Sequence, residues 1–209
     1  MQWFLLAGWS VVIFHGARKM AAWLRLLLSF GLACAMGTQI VLLNLDGMLT
    51  WEAVLPLHLC SLFGVLSIFL IWRANGLLWE ALCFLAAPGA FLTLLFPAVV
   101  HCSHPFLMQL AFHQLHVLIA LMPFTFYQTG KPLPTDPRRT LIWGNGYLVL
   151  ISWFNRTFGT NYLFLRAAPS GTPLDWLFRR GTWIYLCALE LLCMLVFCFL
   201  APIYAQSRK

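Results

Sequence analysis

Apolar and polar positions alternate along the chain in long blocks: seven stretches run almost free of charge, each bounded by charged residues, prolines or glycines. The stretches fall at about 2–15, 23–43, 53–72, 77–96, 105–127, 140–162 and 182–203, most of them near the length a helix needs to cross hydrocarbon. This pattern predicts an all-α, polytopic transmembrane bundle of seven helices, forming a single unit over residues 1–209. The first stretch is short for a full crossing, which makes six helices the fallback count. It lacks a basic leader and a small-residue cleavage site, and Arg18 and Lys19 follow it, so it reads as a first span and not as a signal peptide. The longest polar connections, 128–140 and 166–181, carry prolines and basic residues, as surface loops do.

The distribution of Lys and Arg sets an orientation. Arg18, Lys19, Arg25, Arg73, Lys131, Arg138, Arg139, Arg208 and Lys209 fall on one side of the seven-helix arrangement, and Arg156, Arg166, Arg179 and Arg180 on the other. The richer side is expected to be cytoplasmic, which puts the N-terminus outside and the C-terminus inside. The formal net charge of +7 is therefore read as topology signal and as attraction to anionic lipids at the cytoplasmic face. No basic stripe interleaved with exposed aromatics points to nucleic acid.

Composition agrees with a lipid solvent: 62% of residues are hydrophobic, 9% are charged and the mean hydropathy is +0.84, values a soluble domain does not reach. Against that background each polar group inside a span marks a face turned to the bundle interior. Gln109, His113 and His116 stand at i, i+4 and i+7 on the fifth stretch, one helical stripe. His58 and Ser61 share a face of the third, with Cys60 between them; Asn145, Ser152 and Asn155 share a face of the sixth. Gln39 lies on the second and Glu190 on the seventh, while His101 and His104 belong to an interfacial loop. With the orientation above, these groups collect in the outer half of the membrane, as the lining of one pocket would. Glu190 is also open to a structural role, protonated or paired with Arg156.

Six of the seven cysteines lie inside apolar stretches and none forms a C-x-x-C pair, which speaks against disulfides and zinc. Three imidazoles, His58, His113 and His116, would suit zinc or copper, but the pattern supplies no carboxylate partner, so no metal and no cofactor are expected.

The run Leu55-Pro56-Leu57-His58-Leu59-Cys60-Ser61, the pattern Phe112-x-x-x-His116-x-x-Ile119, and Asn155 followed by Gly159-Thr160-Asn161-Tyr162-Leu163-Phe164-Leu165 resemble the YwaF-type bacterial integral membrane proteins, which group with eukaryotic transmembrane protein 164. The resemblance covers about residues 20–200. It implies a bundle of six or seven helices in a cell membrane, the bacterial inner or plasma membrane, and acyl transfer onto lysophospholipids by a cysteine and a histidine. His116 matches the family's histidine, and Cys60 is the nucleophile that chemistry favours.

Two functional readings follow. In the first, Cys60 or Ser61 attacks a lipid ester of a phospholipid or lysophospholipid, His116 is the base, and His58, Gln109 or Asn155 orients it or stabilises the oxyanion. Gln39, His113, Asn161, Tyr162 and Glu190 complete the substrate-binding set. In the second, the bundle is not catalytic and binds or moves a small polar or lipidic solute through its His, Asn and Glu groups. Neither the substrate nor the oligomeric state is encoded in the pattern.

Overall fold

The computed structural model describes residues 1–16, 22–97, 102–169 and 173–207, and every regular element among them is helical. The helices are α1 (Gln2–Gly16), α2 (Ala22–Leu45), α3 (Trp51–Val54), α4 (Leu59–Trp72), α5 (Gly76–Ala81), α6 (Ala87–Leu95), α7 (Pro105–Gln128), α8 (Arg138–Phe158), α9 (Pro173–Arg180) and α10 (Thr182–Gln206). Arg18, Lys19, His101, Arg208 and Lys209, which entered the charge count and the loop assignment, lie outside the described residues.

Five segments are long and apolar enough to cross a membrane: Ala22–Leu45, Trp51–Trp72, Gly76–Leu95, Pro105–Gln128 and Thr182–Gln206. The chain is thus a multi-pass membrane protein. The other two expected spans are present as helices: α1 has only 15 residues, and α8, with 21, is diluted by Arg138, Arg139, Asn145, Asn155 and Arg156. α8 also stops earlier than the apolar run suggests. It ends at Phe158 because Gly159 takes a left-handed conformation, φ 71°, which leaves Asn161 and Tyr162 in the following loop.

Two of these five segments are interrupted, and proline explains both. In Trp51–Trp72, Pro56 cannot supply an N–H and pushes Leu55 to an extended conformation, φ −75° and ψ 123°, so α3 ends and α4 restarts after His58. In Gly76–Leu95, a π-helical turn, Leu82–Ala86, joins α5 to α6 just ahead of Pro88, whose missing N–H loosens the ladder there.

α7 is the axle of the bundle, packing against α1, α2, α4 and α6. Its buried face includes Met108, Ala111, Leu115, Leu118, Ile119 and Met122. Glycine lets neighbours approach: a Cβ on Gly31 would meet Leu118 at 3.1 Å, and one on Gly64 would meet Met36 Sδ at 2.7 Å and Leu115 at 3.1 Å. Gln114 Nε2 donates to the Gly31 carbonyl at 3.0 Å, adding a polar tie between α7 and α2. α8 leans on α5 through Arg139 and Glu80, 3.2 Å apart, and α10 rests against α9 and the π-helical turn, where Tyr204 donates to the Cys83 carbonyl.

Candidate functional site

The break between α3 and α4 shapes the site. Non-helical backbone at membrane depth leaves carbonyls and N–H groups that hydrocarbon cannot satisfy, so it persists only where side chains serve them. Tyr147 of α8 donates to the Leu57 carbonyl at 2.7 Å, and Tyr162 donates to the Trp51 carbonyl at 3.0 Å. Thr50 caps α3 by accepting the Ala53 N–H. His58 is the N-cap of α4 and makes no side-chain cap bond to it, so the imidazole is available elsewhere.

That imidazole sits between two partners. Its Nδ1 accepts the Leu163 N–H at 3.4 Å, and its Nε2 lies 3.8 Å from Oε1 of Glu52. With Nδ1 acting as acceptor, the neutral ring carries its proton on Nε2, facing the carboxylate. The Tyr162 and Phe164 rings flank it, with centroids 5.1 and 5.4 Å away. Glu52 is held in turn by the Asn161 N–H, which donates to Oε1 at 2.9 Å.

The loop that supplies these contacts is built around two asparagines. Asn155 is fully buried; its amide donates to the Tyr162 carbonyl at 2.9 Å, while its oxygen accepts from the Tyr162 N–H at 2.9 Å and the Thr160 hydroxyl at 2.8 Å. Asn161 accepts the Arg166 and Ala167 N–H groups and donates to the Ala167 carbonyl. Between them the backbone takes an uncommon course, with Leu163 and Phe164 both at φ 57°, a left-handed conformation costly for non-glycine residues. The strain has a visible result, since it delivers the Leu163 N–H and the Phe164 ring to His58. The two sequence signatures, Leu55–Ser61 and Gly159–Leu165, are therefore halves of one contact surface.

Beside this arrangement opens a cleft of about 310 Å³ lined by Met36, Gln39, Glu52, Pro56, His58, Ser61 and Leu115 among others, a volume in the range of small-ligand sites. Of the residues singled out from sequence, Gln39, His58 and Ser61 line this cleft, and Asn155, Asn161 and Tyr162 form the shell that fixes His58 and Glu52.

The others stand apart from it. Cys60 packs into the main apolar core, where its thiol meets Thr93. His113 and His116 are buried on α7, each with Nδ1 at the carbonyl one turn back, Gln109 at 2.6 Å and Phe112 at 2.7 Å, and neither lines the cleft. Gln109 is exposed. Glu190 accepts from Asn145 at 3.1 Å on the seam between α8 and α10, in place of an ion pair with Arg156. No group of three or more His, Cys, Asp or Glu side chains able to hold a metal occurs among the described residues.

Glu52 was missed by reasoning from sequence, which assigned it to the loop before the third stretch. Its signal was present: an acidic residue one position after a tryptophan and six before His58, following a threonine able to cap a helix.

The model of the TMEM164 family matches residues 2–201, nearly the whole chain. No curated protein and no solved structure matches it.

Proposed function

The chain belongs to the TMEM164 family, and from that premise we propose that it transfers or hydrolyses a lipid acyl ester at the cleft bounded by Gln39, Glu52, His58 and Ser61. The observation that carries this reading is the pairing of Glu52 with His58, whose Nε2 lies 3.8 Å from the carboxylate, in a cleft that Ser61 and Gln39 also line. Acyl transfer asks for a nucleophile, a proton relay and donors for an oxyanion at one place.

In this proposal Ser61 Oγ bonds to the acyl carbon and the ester C–O bond breaks. The hydroxyl proton passes to the Glu52 carboxylate, which the His58 Nε2–H orients, and from it to the leaving oxygen. Water or the hydroxyl of a second lipid then takes the acyl group from Ser61, its proton returning by the same route. The N–H groups of the first turn of α4, which have no intrahelical acceptor, supply the dipole that favours the oxyanion. Phospholipid or lysophospholipid enters sideways from the bilayer. α1 and α8 cross the membrane with the other helices to give seven crossings, the N-terminus outside and the C-terminus cytoplasmic, and the cleft opens toward the outer leaflet of the cell membrane. Anionic lipids gather at the basic cytoplasmic face.

Labelling by a lipid-like probe reactive toward serine and cysteine tests this. Ser61→Ala is expected to abolish labelling of the purified protein, and Glu52→Gln and His58→Asn to slow it on the order of 100-fold. Cys60→Ala and His116→Ala are expected to retain it. Labelling that persists in Ser61→Ala and vanishes in Cys60→Ala or His116→Ala would move the reaction to the core side of α4 and α7. Loss in none of the variants would favour a bundle that binds its solute without catalysis.

A further inference from the structure

A second cavity, of about 620 Å³, opens where α7 and α10 end, lined by Tyr127, Gln128, Gly130, Lys131, Pro132 and Ser207. It shares no lining residue with the Glu52–His58 cleft. Both helices are long and apolar enough to cross a membrane, so their common end falls at the level of lipid headgroups.

The turn after α7 places a cation here. Gly130, at φ 83°, folds the chain back over the helix end, and the Lys131 N–H donates to the Phe126 carbonyl at 3.2 Å. This return carries Lys131 Nζ onto two rings, 4.5 Å from the Trp79 centroid and 5.1 Å from that of Phe126. The rings meet edge to face, and Trp79 Nε1 donates to the Pro132 carbonyl, which fixes the platform.

The ammonium lacks a counter-ion. Among the described residues no hydrogen bond or ion pair reaches Lys131 Nζ; Glu80 and Asp136 are paired with Arg139 and Arg138 instead. Ring faces attract the charge but leave its N–H groups without a proper acceptor. Burial holds the ammonium below the ordinary lysine value, as it does for a cation partly withdrawn from water. The last carbonyls of α7 are already served. That of Phe126 accepts the Thr129 and Lys131 N–H groups and the Thr129 hydroxyl, and that of Tyr127 accepts the Gly130 N–H. The Gln128 amide, on the same wall, also makes no hydrogen bond among the described residues. The two hydroxyls of the cavity have each donated their proton, Tyr127 to the Ser207 carbonyl at 3.3 Å and Ser207 to the Tyr204 carbonyl at 2.8 Å. Their oxygens can only accept.

We propose that this cavity binds a phosphate ester bearing a free hydroxyl, of the phosphoglycerol kind, as a lipid headgroup or as a free polyol phosphate. The phosphate oxygens take the unmatched N–H groups of Lys131 and Gln128, and the polyol hydroxyl donates to the Tyr127 or Ser207 oxygen. Phosphocholine offers no such donor and sets its cation against Lys131.

The test is binding to the full chain in detergent, read by isothermal titration, with dioctanoyl phosphatidylglycerol, dioctanoyl phosphatidylcholine and glycerol phosphate as probes. Wild type is expected to bind a glycerol ester about tenfold more tightly than the choline lipid. Lys131→Gln should weaken that binding about tenfold and Gln128→Leu about threefold. Arg73→Gln, an exposed cation outside the cavity, should leave it unchanged. Monodisperse elution shows that the variants are folded, and Gln128→Leu leaves the ring platform intact, so it reads the site even where Lys131→Gln lowers stability. Glycerol phosphate binding as tightly as phosphatidylglycerol identifies a soluble ligand; weaker binding identifies the lipid headgroup. A wild type that prefers neither glycerol ester to the choline lipid, variants that both bind as wild type does, or an equal loss in Arg73→Gln would each overturn the proposal.

Discussion

Asn155 and Tyr162 close a ring in which one side chain serves both backbone groups of a single residue: the asparagine amide donates to the Tyr162 carbonyl and its oxygen accepts the Tyr162 N–H, both at 2.9 Å. The two residues are fully buried, so no water stands ready to replace either bond. This ring carries the tyrosine whose hydroxyl ties down α3 and whose ring borders His58. A segment outside any α-helix is in this way fixed against His58, which lines the cleft.

Asn155→Leu removes both bonds and leaves a buried donor and acceptor unmatched. The expected cost is about 2–3 kcal/mol, read as a lowered melting temperature in detergent. Asn155→Asp keeps the acceptor for the Tyr162 N–H and is expected to lose less than the leucine variant. Equal losses would show that the ring's geometry matters more than its separate bonds.

Tyr147→Phe deletes the hydroxyl that serves the Leu57 carbonyl at the break between α3 and α4. A carbonyl left open at that point costs on the order of 1–2 kcal/mol. Because Leu57 immediately precedes His58, the variant is also expected to reduce labelling of the cleft by the acyl probe. A control at Tyr185→Phe, which lies against α9 through Phe178, should leave labelling unchanged.

The apolar helices were legible because hydrocarbon imposes a length that few other environments demand, and the polar residues were legible as exceptions within it. Asn155, Asn161, His58 and Ser61 stood out for that reason, and they meet at or behind the cleft. What was not legible is conformational. Leu55–Ser61 reads as an apolar run with one proline, and nothing in it shows that the helix stops for four residues and turns His58 toward a loop a hundred positions later. Likewise, Leu163 and Phe164 carry no mark of a left-handed backbone, which is normally signalled by Gly or Asn; their conformation is imposed by the hydrogen bonds around them. His113 and His116 share one helical stripe, yet both rings fold back to their own helix, which periodicity cannot reveal.

Outside the membrane-spanning segments, Asp46 links the loop after α2 to the chain ahead of α7 by accepting both the N–H and the hydroxyl of Ser103. The hydroxyl and then the N–H hold its carboxyl below the ordinary value of 3.8, since both favour the ionised form. A depressed carboxylate contributes stability that is present above the unfolded value and lost as pH falls through the folded one. The difference in thermal stability between wild type and Ser103→Ala should therefore be flat from about pH 5 to 8 and shrink below about pH 4. A difference that grows on acidification would show that Ser103 acts through something other than the carboxylate.

Gly64 connects packing to the cleft most directly. The Cβ of an alanine there would fall 2.7 Å from Met36 Sδ and 3.1 Å from Leu115, and both of those side chains line the cleft. The methionine sulfur lies near the end of a flexible chain and can move, but the core side is closed by close-packed α2 and α7, so its free direction is the cleft. Gly64→Ala is therefore expected to cost only about 1 kcal/mol in stability, as a modest overpacking does. On the acyl-ester reaction proposed for this cleft its effect should be larger, appearing as a raised KM for long acyl chains with kcat little changed. Shortening the displaced residue, in Gly64→Ala with Met36→Ala, restores the space and should bring KM back toward wild type. If the double variant binds as poorly as the single one, the added methyl acts by shifting α4 itself, and with it His58 and Ser61, and kcat should then fall as well.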